Sequence, residues 1–179
     1  MTIYIALIRG INVGGHNKVP MAELRKAYEA IGLNRVQTYI QSGNVLFESE
    51  KSADTLRPML EQAIAETFGI SVTVAMRTAE QWERIVANCP YGKDGLLEGE
   101  SIQVTILTES PSPKAIAALE ANKGDGTDEY FVHGLEIYFL FRRSVLDSKL
   151  ANSMNKLGNT ATSRNMNTIN KLAGLVGKM

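Results

Sequence analysis

Apolar positions recur along this chain in two alternating rhythms, one of strands and one of helices. Ile3 to Ile8 is apolar at almost every position and rich in β-branched residues, which predicts a strand covered on both faces. Met21, Leu24, Tyr28 and Ile31 then recur at helical spacing, after Pro20, suited to a first turn, and before Gly32, suited to a stop. Val36 to Gln41 and Asn44 to Glu48 read as short strands joined by a two-residue turn, Ser42 and Gly43. A second helix carries Leu56, Met59, Leu60, Ala63, Ile64 and Phe68 up to Gly69, and Pro58 predicts a late start or a kinked first turn. Ser71 to Met76 returns to strand. Thr78 and Gln81 make a capping box for a helix that buries Trp82, Ile85, Val86 and Cys89 and stops at Pro90.

The rhythm then repeats. Residues 91–100, with three glycines and mixed charges, read as a connection. Ile102 to Leu107 is a strand; Ser112 and Pro113 open a helix that reaches Asn122 before Gly124. Glu129 to Val132 and Glu136 to Phe141 form a hairpin about His133 and Gly134. Two helices follow, Val145 to Leu157 burying Leu146, Leu150 and Met154, and Asn165 to Val176 burying Met166, Ile169, Leu172 and Val176. Strand, helix, hairpin, helix in both halves predicts an α+β fold of two ferredoxin-like βαββαβ-type subdomains, the second losing its final strand to an extra C-terminal helix. The expected segments are 1–90, a linker at 91–100, and 101–179.

Composition changes this picture little. Of 179 residues, 44% are apolar and 21% charged, which excludes a disordered or fibrous chain. Cys89 stands alone, so no internal disulfide forms, and a reducing cytoplasm is the expected setting. The opening apolar run has no basic residue before it and meets Arg9 at once, so neither a secretory signal nor a membrane partner is expected. Net charge is zero, yet residues 142–179 set Arg142, Arg143, Lys149, Lys156, Arg164, Lys171 and Lys178 against Asp147 alone. Two readings follow: an anionic partner, or cations that answer the acidic first part internally.

The candidate chemistry is concentrated in polar islands. Arg9, Gly10, Ile11, Asn12, Val13, Gly14, Gly15, His16, Asn17 and Lys18 read as an anion cradle, with glycines turning amides toward one point and cations at either end. In a βαββαβ unit this loop shares a sheet edge with Gln41, Ser42, Gly43 and Asn44. By the same logic a turn from Gly158 to Arg164, capped by Thr162 or Ser163, brings Ser163, Arg164, Asn165 and Asn167 to the corresponding edge of the second half, where a helix N-terminus favours anions. The expected ligand is an anionic small molecule, a nucleotide or a nucleic acid.

Other chemistries fit less well. Gly10 and Gly15 have P-loop spacing, but His16 and Asn17 follow where lysine and a hydroxyl are needed, and the dinucleotide glycine spacing is missing. No metal or cofactor is expected, since two histidines and one cysteine lack paired-ligand spacing, and the run from Gly124 to Glu129 lacks the ligand spacing of a calcium loop. Tyr4 and Phe47 are too few for an RNA-stacking sheet face. His16 and Ser42 are the candidates for acid, base or nucleophile if the chain is an enzyme of group transfer or hydrolysis. A third class is a protein-interaction module with a basic C-terminal face. The sequence leaves catalysis and oligomeric state open.

These islands resemble a bacterial family catalogued as domain of unknown function 1697. The resemblance rests on Arg9 to Gly15 with Asn17, on Tyr39 to Val45, on Ser148 with Lys149, and on Thr162, Arg164, Asn165, Asn167 and Thr168. His16 stands where that family is expected to carry lysine, and Met166 where it is expected to carry tryptophan. The resemblance implies paired ferredoxin-like subdomains and carries no activity with it.

Overall fold

The computed structural model describes residues 1–123 and 127–179. The chain divides into two compact units, Met1–Arg84 with Leu172–Met179, and Ile85–Lys171. Gly124, expected as a helix stop, and the start of the run considered for calcium lie outside the described residues.

In the first unit, β1 (Thr2–Ile8), α1 (Met21–Ala30), β2 (Asn34–Tyr39), β3 (Asn44–Ser49), α2 (Ala53–Phe68) and β4 (Val74–Thr78) build an antiparallel sheet in the order β2-β3-β1-β4. One face of β1 presents Tyr4, Ala6 and Ile8 to Leu24 and Tyr28 of α1 and to Leu56, Leu60 and Ile64 of α2. Tyr4 stacks on Phe47 at 5.6 Å inside this core, so these rings form no open platform for bases. Ile5 and Leu7 on the opposite face are fully buried too, which is why the strand is apolar throughout. Each such burial contributes roughly 1.5–3 kcal/mol.

Two local expectations are corrected in this unit. The α2 helix starts at Ala53 behind the Ser52 cap, five residues ahead of Pro58, and accommodates the proline within its second turn. β2 and β3 are joined by four residues, Ile40 to Gly43, because Tyr39 already pairs with Asn44. The capping box forms as expected: Gln81 N–H donates to Thr78 Oγ1 at 3.2 Å, and Thr78 N–H donates to Gln81 Oε1 at 2.8 Å. It opens α3 (Ala79–Ala87) directly from the end of β4.

The second unit repeats the plan with β5 (Ser101–Leu107), α4 (Pro113–Ala121), β6 (Glu129–His133), β7 (Glu136–Phe141), α5 (Lys149–Met154) and β8 (Ala161–Asn165), in the order β6-β7-β5-β8. Both units are therefore complete. The fourth strand is not lost: β8 pairs antiparallel with β5, and α6 (Met166–Val176) follows it as an addition. The expected Val145 to Leu157 helix is broken into 3-10 turns, Val145–Asp147 and Asn155–Thr160, flanking the short α5. Leu146 consequently misses the core and is 92% exposed, while Leu150 joins Leu107, Leu119, Phe139 and Phe141 inside it. The 91–100 stretch, expected as a linker, lies within this unit. Arg142 ties it down by donating to Glu100, while also donating to Glu129 Oε2 at 2.7 Å and the Thr127 carbonyl at 3.0 Å.

Several phenols make stability sensitive to alkali. Burial pushes the Tyr91 phenol up to about 12, helped by Glu129 and Cys89, and burial with the Glu120 hydrogen bond does the same for Tyr130. Tyr28 and Tyr138 are raised further by burial, with Glu61 and Glu136 adding to it. A proton held more tightly in the folded state than in the unfolded one, where the phenol titrates near about 10, stabilises fully below that pH and progressively less above it. Denaturant midpoints are expected to be level from neutral pH to about 9 and then to fall, with buried Tyr28 contributing most and the more exposed Tyr91 and Tyr130 less, because solvent screens them. A level profile through this range, while tyrosinate absorbance rises, would contradict the assignment.

Candidate functional site

The first loop is built on backbone that only a few residue types accept. Gly10, Asn12, Gly14, Gly15 and Asn17 all have positive φ, the left-handed region open to glycine and tolerated by asparagine. Val13 to His16 closes as a tight turn, His16 N–H donating to the Val13 carbonyl at 2.9 Å with Gly14 and Gly15 at its centre. Below the turn, Asn12 N–H donates to the Asn17 carbonyl at 3.0 Å.

The asparagines do a different job from the one expected of them. Asn12 Nδ2 donates to the Val19 carbonyl at 3.0 Å and the Gln41 carbonyl at 2.8 Å, while its Oδ1 accepts from Val19 N–H at 2.7 Å. Asn17 Nδ2 donates to the Gly10 carbonyl at 3.0 Å. Asn44 is fully buried and donates to the Tyr39 carbonyl and to Ser42 Oγ, both at 2.9 Å. These amides are staples that hold the loops, not donors held out for a ligand. Ser42 Oγ is engaged as an acceptor in the same network.

The staples join the two N-terminal islands. Besides the Asn12 to Gln41 bond, Ile8 N–H donates to the Gly43 carbonyl at 2.8 Å, and Gly43 lies so close to Ile8 and Ile11 that a Cβ would stand 2.8 Å from Ile11 Cδ1. Beside this seam lies a recess of about 410 Å³ lined by Asn12, Gly15, Lys18, Val19, Pro20 and Gln41. Among the described residues, no carboxylate lines it. The Gly14 and Gly15 amides, the Lys18 ammonium and the Gln41 side chain have no protein partner among the described residues, and the loop segment from Val13 to Lys18 is exposed. Val13 and Ile40, 63% and 49% exposed, add apolar surface on the two loops. Ile40 holds φ 48, a strained value for a β-branched residue. His16 is exposed at the tip, and Arg9 extends from the end of β1, its N–H donating to the Thr73 carbonyl at 3.0 Å.

In the second unit the expected residues take other positions. Ser163, Arg164 and Asn165 belong to β8, not to a turn, because the strand pairs with β5 from Ala161 through Asn165. Thr162 is buried and does not cap; Asn165 Oδ1 instead accepts from Asn167 N–H at 2.8 Å at the start of α6. Ser163 Oγ and Thr105 Oγ1 share a hydrogen bond of 2.6 Å. Arg164 is half-buried, and loss of water around its guanidinium pushes its pKa down to about 10; its Nη1 donates to the Ser163 carbonyl at 2.9 Å. Arg77 holds the matching position in the first unit. It occupies the same penultimate place on β4, and its Nη1 donates to the preceding carbonyl at 2.7 Å. The legible signal was a short strand ending in arginine and a capping residue just before a helix, Arg77 with Thr78 and Arg164 with Asn165.

Part of the basic C-terminal charge is answered internally, Arg142 being paired with Glu100 and Glu129. The same network explains the acidic run after residue 126: Asp128 Oδ1 accepts from Arg142 N–H at 2.8 Å, and its Oδ2 accepts from Ser148 Oγ at 2.6 Å. Among the described residues, no group of three or more metal-ligating side chains converges, and no helix is long and apolar enough to cross a membrane.

Comparison with known proteins agrees with this architecture. The model of a family described as "Protein of unknown function (DUF1697)" matches residues 1–138. The solved structure of the conserved bacterial protein SP0830 from Streptococcus pneumoniae is 30% identical, with 97% of each chain covered and a TM-score of 0.80. A comparison with curated proteins gave no match.

Proposed function

This chain belongs to the DUF1697 family, whose description assigns no activity, and we propose from its own site that it binds a phosphate-bearing ligand, a nucleotide or the end of a nucleic acid, at the first loop. The observation that carries the reading is the division of labour there. Asn12 and Asn17 hold the loop from inside, which leaves the Gly14 and Gly15 amides, Lys18 and Gln41 without protein partners beside a recess that no acid lines, among the described residues. A cradle held this way spends little ordering entropy when an anion arrives. Unpaired backbone amides and one ammonium suit phosphate oxygens, and exposed Val13 and Ile40 offer contact to a sugar or base.

Thermal denaturation against inorganic phosphate, mononucleotides, short oligonucleotides and sugar phosphates tests this. Ligand at one hundred times its dissociation constant adds roughly 2.7 kcal/mol, equal to about 5–10 °C in a chain of this size. Lys18→Ala is expected to leave the unliganded midpoint within about 0.5 kcal/mol, because Lys18 is exposed and unpaired, and to remove most of the ligand shift. No shift across the panel, or a shift untouched by Lys18→Ala, would sink the proposal.

A further inference from the structure

We propose a second ligand site in the unit Ile85–Lys171: the cavity beside the 91–100 loop binds a small aromatic acid, a flat apolar ring carrying one anionic group. The cavity is about 470 Å³, within the range of roughly 300–1,000 Å³ that small-molecule sites occupy. Its walls are Val86, Tyr91, Leu96, Ile102 and Met166, an apolar slot with one aromatic side. Its polar groups are Lys93, Asn167 and Asn170, and no acid lines it among the described residues.

Three features separate it from a packing gap. Gly92 approaches β5 so closely that a Cβ would stand 2.9 Å from Ile102 Cδ1, and its φ of 74° is one that other residues resist. The loop is therefore seated on the strand. Its far end is anchored, since Glu100 Oε1 accepts from Leu97 N–H at 2.7 Å while its other oxygen takes the Arg142 guanidinium. Finally, Asn167 and Asn170 stand three apart on α6, so their side chains share one helix face, and neither amide has a protein partner among the described residues. Asparagine is a poor choice for helix stability, which leaves recognition as the reason for two on that face. Ring burial between Tyr91 and the aliphatic walls supplies the affinity; Lys93 and the two amides select an anion over a neutral ring.

Cys89 lines the same cavity and is the only cysteine of the chain, so it reports occupancy without a label elsewhere. With 1-naphthoate as probe, modification of Cys89 by methyl methanethiosulfonate, followed by intact mass, is expected to slow saturably. The neutral 1-naphthalenemethanol should protect about fivefold more weakly, and Lys93→Glu, on an exposed loop position, should weaken naphthoate by about the same factor while leaving the alcohol unchanged. Met166→Trp, which fills the slot, should abolish protection by both. Lys18→Ala should change nothing here, which keeps this site separate from the first-loop reading. Absence of protection in the unsubstituted protein, protection that survives Met166→Trp, or equal protection by acid and alcohol that ignores Lys93→Glu would each overturn the proposal.

Discussion

Replacing Gly43 by alanine is expected to lower the melting temperature by roughly 5–15 °C and to weaken any ligand that uses the first-loop recess. Two costs combine. At φ 94 an alanine gives up about 1–2 kcal/mol for left-handed backbone. Its methyl would also stand 2.8 and 3.0 Å from Ile11 Cδ1 and Cγ1 and 3.1 Å from Ile8 Cβ, and overpacking of this kind costs about 1–3 kcal/mol. Both isoleucines are buried, and Ile8, the last residue of β1, is paired with Val74 of β4, so the strain is relieved most easily by the turn. Moving the turn stretches the Ile8 to Gly43 hydrogen bond and the Asn12 to Gln41 bond that joins the two loops. Gly10→Ala is the control, because the same left-handed penalty applies while a Cβ there meets nothing within 4 Å. Equal losses for the two variants would show that the close approach at Gly43 is unimportant.

Asn12→Ala is expected to destabilise by about 2–4 kcal/mol, unusual for a residue that touches water. Its carboxamide makes three bonds, and one of them satisfies the N–H of Val19, a buried residue. An orphaned buried donor costs about 1–3 kcal/mol, and the left-handed φ of 56 adds to this for alanine. Asn12→Asp separates the parts: the carboxylate still accepts from Val19 but cannot donate to the Val19 and Gln41 carbonyls. Its stability should fall between the two, with hydrogen exchange at Val19 protected in Asn12→Asp and accelerated in Asn12→Ala. If Asn12→Ala unfolds at the same denaturant concentration as the parent chain, the asparagine is no staple, and the preorganisation behind the phosphate reading loses its basis.

Much of this architecture was open to reading from residue order. The helical spacing of Leu24 and Tyr28, the Thr78 and Gln81 capping box and the Ser112 and Pro113 helix start all appear where local rules put them. The misreadings have one character. The strand Ala161–Asn165 is polar along most of its length and looked like a turn, yet the unpaired edge of β5 recruits it. The hairpin looked two residues long because nothing about Ile40 advertises a positive φ. Leu146 looked like core because a helix was extended through a stretch that breaks into 3-10 turns.

Residue order alone determined the periodicities, the glycine positions and the clustering of polar groups in a few islands, because these depend on neighbours within a few residues. Which of the polar groups remain available to a ligand was decided only in three dimensions. Asn12 finds one of its partners 29 residues away, at Gln41, so its role depends on strand pairing that no local pattern encodes. A carboxamide donates wherever the fold presents a carbonyl, and here the fold turned the asparagines inward and left the glycine amides and Lys18 to face water.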